Sequence, residues 1–241
     1  MLINRLLCRT ASPASRGGFT LVELLVVIGI IAILAGVALG PITNGIKKAK
    51  QSAGMQQSHS IGLAMYSCAN DNNQLYPGKS GGNGTAGDVA AILLAGGYVS
   101  DATIFGLSGD TNTNYAKVSS ATNTATSITQ AQVSWDFMVS NDGSGVSSTA
   151  FPFLPLVWST INGSTGTPAF TTLTANAAIT ATPTLTNPFG SDGMAIFYIN
   201  NAANFVSSSV TGAGGTPVVT MVSAANNLGG GATKYVIASG D

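Results

Sequence analysis

The stretch from Phe19 to Leu39 (FTLVELLVVIGIIAILAGVAL) constrains this chain more than any other. It is about 21 residues long, and as a helix it has the ~20 needed to cross the hydrocarbon core of a bilayer. No second stretch of the chain is comparable. Glu23, the only glutamate in the chain, lies inside it, whereas every other acid is an aspartate at position 71 or beyond. A carboxylate within a bilayer costs at least a few kcal/mol, so its presence marks a functional residue that needs a named partner. The candidate partner is a free α-amino group, created by cutting the chain just ahead of the run.

The formal charge is balanced at 9 Lys+Arg against 9 Asp+Glu, but its distribution is not. Arg5, Arg9 and Arg16 all precede the apolar run, and Lys47, Lys48 and Lys50 follow it. A cut before Phe19 removes three of the nine basic residues and leaves six against nine acids, a net charge of −3. No basic surface suited to nucleic acid survives in the distal part. Charged residues make up 7% of the chain, against a usual ~25%, so the surface is neutral and rich in Ser, Thr, Asn and Gly. Of the two cysteines, Cys8 leaves with any leader, and Cys68 alone excludes a disulfide framework. A single Cys on a helix is most often a small buried apolar residue.

Residues 1–18 read as a basic leader, 19–40 as a transmembrane assembly helix, 41–73 as a projecting amphipathic helix and 74–241 as a distal domain with long polar loops. Ala32, Gly36 and Gly40 have the spacing that lets membrane helices approach closely, although glycine is also simply tolerated in such helices. Gly40-Pro41 should kink or locally unwind the helix. Beyond it, Ile46, Ala49, Ala53, Ser60/Ile61, Ala64 and Cys68 recur at helical spacing and predict one mildly apolar face. Asn70-Asp71-Asn72-Asn73 should end the helix, since these side chains bond their own backbone in turns. From Phe19 to Asn70 such a helix would measure roughly 75–80 Å, so its second half must leave the membrane.

The distal part predicts a short helix over 88–95 and strands over 133–139, 153–159, 194–199, 205–208, 217–222 and 235–238. Residues 108–128 and 160–188 read as polar loops. Strands following an N-terminal helix imply an α+β fold with a small antiparallel sheet packed on the upper helix.

Gly18-Phe19-Thr20-Leu21-Val22-Glu23, after a basic leader and ahead of an apolar helix, resembles the prepilin signature of type IV pilins and type II secretion pseudopilins. The resemblance implies cleavage after Gly18 by a prepilin peptidase and methylation of the new N-terminus, Phe19. It also implies that Glu23 neutralises the α-ammonium of a neighbouring subunit during assembly. Two other readings compete: a secretory signal peptide cut near Ala38, and an uncleaved signal anchor. A signal peptide should have an uncharged core of ~7–15 residues, whereas this run is longer and contains Glu23.

Leu63–Pro77 (LAMYSCANDNNQLYP) resembles the end of the long helix in major pseudopilins of type II secretion. Residues 95–110 and 192–206 resemble pseudopilin-like families of planctomycete and verrucomicrobial bacteria. The Cys-Pro-Ser-Asp and Phe-x-Asp-Gly-His-Val motifs usual in those families are replaced here, so no metal or disulfide role carries over. The resemblance covers 1–77 well and the rest only in pieces.

Gly78-Lys79-Ser80 has the tail of a phosphate-binding loop, but Asn73 stands where the required glycine belongs, so it reads as a turn. His59, the single histidine, has no second ligand for zinc or catalysis and reads as a subunit-contact or solvent-facing residue. Some major pseudopilins bind calcium, and Asp136, Asn141, Asp142 and Ser144, or Asp110, Asn112 and Asn114, are weak candidates that fit no full loop pattern. Trp135, Trp158, Phe151 and Phe153 read as core.

No nucleophile, base and orienter converge, so an enzyme is not expected, and no cofactor other than calcium is considered. The expected role is a structural subunit in a homo-oligomeric helical fibre, with the prepilin peptidase and an inner-membrane assembly platform as partners. The expected location is the bacterial inner membrane, single-pass, N-terminus cytoplasmic, with the distal domain periplasmic or extracellular after assembly. An adhesive or DNA-uptake module displayed on such a fibre is the alternative.

Overall fold

The computed structural model describes residues 18–78, 85–107, 110, 128–129, 132–140, 145–160, 179–183, 188–210, 215, 217–222 and 235–238. The chain divides into two compact units, Met1–Gly45 and Ile46–Asp241.

Helix α1 runs from Leu21 to Asp71. Its first part, to Gly45, is exposed throughout. The expected unwinding at Gly40-Pro41 does not occur, and every residue around Pro41 stays helical. Pro41 deletes one backbone donor, but the Thr43 hydroxyl donates to the Gly40 carbonyl at 2.8 Å and adds a bond in the same turn. Such hydroxyls are a common reason that proline is tolerated in apolar helices.

In the second unit the later turns of α1 bury Gly54, Ser58, Ile61, Gly62, Met65 and Cys68. Ile46, Ala49, Ala53 and Ser60, expected on the apolar face, are exposed. The packing face is instead cut by glycines. A Cβ on Gly62 would lie 2.2 Å from the Phe197 ring, and one on Gly54 would lie 2.4 Å from Phe189. α1 ends through its Asn-rich tail as expected: Asn72 Nδ2 donates to the Cys68 carbonyl at 2.8 Å, and Asn73 adopts φ +53°, a region that Asn enters more readily than most residues.

Helix α2 covers Ala86–Ala95, two residues longer at its start than expected. Thr85 and Asp88 form a reciprocal capping box: the Asp88 amide donates to Thr85 Oγ1 at 3.2 Å and the Thr85 amide to Asp88 Oδ2 at 2.9 Å. Both otherwise orphaned donors are satisfied. The helix stops at Gly97, φ +71°, where the Tyr98 amide reaches the Leu93 carbonyl (3.0 Å) and the Gly97 amide reaches that of Leu94 (3.2 Å). This bond pair defines a Schellman end.

The strands are β1 (Trp135–Ser140), β2 (Pro155–Ser159), β3 (Ile179–Ala181), β4 (Gly193–Tyr198), β5 (Ala203–Ser207), β6 (Ser209–Val210), β7 (Pro217–Val222) and β8 (Tyr235–Ala238). Among the described residues all pairings are antiparallel, in a five-stranded sheet of order β5-β4-β2-β1-β8 and a three-stranded sheet of order β3-β7-β6. β3 falls within a stretch expected to be loop. Successive side chains on β4 point to opposite faces, and both faces are covered. Phe197 fills the notch at Gly62 of α1, while the Tyr198 hydroxyl donates to the Met221 carbonyl of β7 at 2.8 Å. Within the second unit the larger sheet therefore lies between the later turns of α1 and the smaller sheet. This is a pilin-like α+β arrangement, as the sequence implies.

Candidate functional site

Gly18, Phe19 and Thr20 precede the first turn of α1, and all three are exposed, Phe19 at 82%. Thr20 occupies the N-cap and Glu23 the third helical position. The Thr20 amide and hydroxyl both donate to Glu23 Oε2, at 2.9 and 2.8 Å, and the Glu23 amide donates back to Thr20 Oγ1 at 3.3 Å. Thr20-Leu-Val-Glu23 is thus a capping box, a second use of the acid that the sequence reading missed although the spacing was in plain view. Oε1 accepts no hydrogen bond among the described residues. A carboxylate offers about four lone-pair sites, so the box leaves room for a further donor. Both partners lie beyond the Gly18–Phe19 bond, and a cut there leaves the box intact.

Above this start the apolar window of α1 has none of its residues buried. Leu21, Ile33 and Val37 are each at least 70% exposed.

The other candidates fall elsewhere. Asp136 is buried on β1, in register opposite Trp158. Asn141, Asp142 and Ser144 lie outside the described residues, as do Asn112 and Asn114 of the second cluster and Lys79 and Ser80 of the turn. Among the described residues no group of three His, Cys, Asp or Glu is placed to hold a metal. His59 is half-buried rather than fully exposed and meets Phe197 edge-on, ring centres 5.7 Å apart. Trp135 and Trp158 are fully buried. Phe151 packs at the margin of the core, but Phe153 is 45% exposed and touches Phe151, so it is not a core residue.

Several polar groups brace the second unit. Gln57 Nε2 donates to the Ile104 and Gly106 carbonyls, at 2.5 and 2.7 Å, tying the 3-10 turn Ala102–Phe105 to α1. Asp101 caps that turn, and the Thr103 amide holds its carboxyl below the usual range. Burial pushes the Cys68 thiol upward, away from the reactive thiolate.

Residues 13–39 match the family model for the prokaryotic N-terminal methylation motif. Over 88 residues the chain is 38% identical to Prepilin peptidase-dependent protein D of Escherichia coli (strain K12), an alignment covering 34% of this chain and 60% of that relative. The chain thus spans less than two thirds of the length of the relative it matches. No solved structure matches it. The N-terminus is therefore of prepilin type and distantly homologous to a peptidase-dependent protein, and its apolar helix is consistent with membrane anchoring.

Proposed function

We propose that this chain is a structural subunit, a pseudopilin or pilin, held in the inner membrane by residues 19–40, cut after Gly18, methylated on Phe19 and assembled into a fibre of its own copies. The observation that carries this reading is the exposed apolar surface of the first part of α1, which lies within the matched methylation motif. A surface of that size is unfavourable in water; lipid covers it before assembly and the matching helices of neighbouring subunits cover it afterwards. Glu23 then has a defined task. Cleavage creates an α-ammonium at Phe19, and the carboxylate of an adjacent subunit receives it while Oε2 stays engaged with Thr20. Two charges that are costly in an apolar medium compensate each other.

The test separates processing from assembly. Glu23→Gln keeps an acceptor for Thr20 but removes the charge. The variant should be cleaved and methylated like the natural chain, while fibres recovered by shearing fall by at least tenfold. Undiminished fibre yield would overturn the pairing, and an uncut wild-type chain would overturn the processing step.

A further inference from the structure

We propose that Lys47, Lys48 and Lys50 form a basic collar that binds the headgroups of anionic phospholipids on the face of the membrane opposite the leader. Half of the six basic residues remaining after a cut at Gly18 fall within these four positions. No acid occurs between Glu23 and Asp71 to neutralise them along α1. All three are exposed. Lys47 meets Asp192 at 3.3 Å, with both side chains well solvated, and Lys48 and Lys50 make no salt bridge among the described residues. The collar therefore carries about two uncompensated charges.

Chain connectivity limits where these charges sit. Lys47 follows Leu39 by eight residues, about 12 Å as helix, and the headgroup layer extends roughly 5–8 Å beyond the hydrocarbon on each side. Lysine stems reach back toward the interface while the ammonium stays hydrated. A hollow of about 330 Å³ opens beside Lys47 and Lys50, walled by Pro188, Phe189, Ser191 and Asp192. Its rim carries the unpaired Lys50 ammonium beside the Lys47–Asp192 pair, a setting that suits the phosphodiester of a headgroup. Membrane topology does not account for the lysines: orientation follows Lys/Arg excess on the inner side, and three lysines outside cancel the three leader arginines.

The inference rests on reading residues 19–40 as a membrane span. The full chain is reconstituted in phosphatidylcholine nanodiscs containing a minority of phosphatidylglycerol, extracted into mild detergent, and its retained lipid identified by native mass spectrometry. The natural chain should retain phosphatidylglycerol selectively. A juxtamembrane lysine is worth about fivefold in anionic-lipid affinity, so Lys48→Gln should lose about fivefold and the variant with all three lysines changed to Gln on the order of a hundredfold. High salt should weaken retention, and inorganic phosphate should not displace the lipid.

Equal retention of the two lipids, or displacement by phosphate, overturns the inference. So does a triple variant that keeps its lipid preference but loses self-association, which would assign the lysines to a second copy. Extraction of the natural chain from vesicles by alkaline carbonate overturns the membrane reading and this inference together. Firm insertion without lipid preference overturns this inference alone.

Discussion

Residues 21–45 of α1 are almost entirely Leu, Ile, Val, Ala and Gly, and every one is exposed; the turns from Gly54 to Ala69 include Ser58, Gly62 and Cys68, and one face of them is buried. The more apolar part of the helix has no core, and the less apolar part builds one. The difference lies in what each surface is shaped to meet. A broad, uniform apolar surface suits a fluid or repeating medium, which needs no notches. A folded core demands complementarity at the scale of a single methyl group, and Gly54 and Gly62 provide it by leaving room for Phe189 and Phe197.

Glycine replacements test this contrast most sharply. Gly62→Val drives its side chain into the Phe197 ring and should lower the stability of the second unit by about 1–3 kcal/mol or more. Gly36→Val meets nothing within 4 Å and should leave the same transition within about 0.5 kcal/mol of the natural chain. Buried Trp135 and Trp158 report the transition by fluorescence during denaturant unfolding of the full chain in detergent. Equal effects at the two positions would erase the distinction.

Tyr198 offers a pH-resolved version. Burial pushes its phenol up to about 12 from the ordinary 10, so above pH 10 the unfolded chain releases this proton before the folded chain does. The stability contribution is complete below pH 10 and lost as pH rises through 12. Tyr198→Phe removes the bond to the Met221 carbonyl and should cost about 0.5–1.5 kcal/mol at neutral pH, and the gap to the natural chain should narrow between pH 10 and 12. A gap that stays constant would refute the assigned burial.

The two capping boxes extend the comparison to smaller effects. Thr85→Ala should lower the stability of the second unit by about 1 kcal/mol, whereas Thr20→Ala, with no core beneath it, should leave that transition unchanged and reduce only helicity at the start of α1. Asp192→Asn should change that transition by less than Thr85→Ala does. Its pairing with Lys47 is solvated on both sides, and such pairs contribute about 0–1 kcal/mol.

The α+β fold was legible because its signals are strong and local. Pro217–Val222 and Tyr235–Ala238 agree to the residue with the apolar runs that announce them, and the other four expected strands shift by a residue or two at their ends. β3 escaped because its three residues sit in a Thr/Ala-rich stretch with little alternation. The buried face of α1 was misjudged because apolar periodicity weights Ile46 and Ala53 and ignores glycine, while the packing depends on where side chains are missing. Thr20–Glu23 and Thr85–Asp88 were readable as capping boxes from spacing alone. In the first case one residue carries two roles, and the membrane cost of the acid masks its backbone role. The notch at Gly62 could not be read at all, because its partner Phe197 lies 135 positions away in the chain.

The aromatic rings seated at Gly54 and Gly62 also have a mechanical meaning. They stand eight residues apart, roughly 12 Å along the axis, and work as two keys in one shaft. Sliding α1 by a turn would set Ser58 or Tyr66 against Phe197, and rotating it by one residue would present Ile61 or Leu63. Neither fits without prising the sheet away. Tension or torque applied to this segment of α1 is therefore passed to the domain as a whole, without slippage, until the unit yields cooperatively.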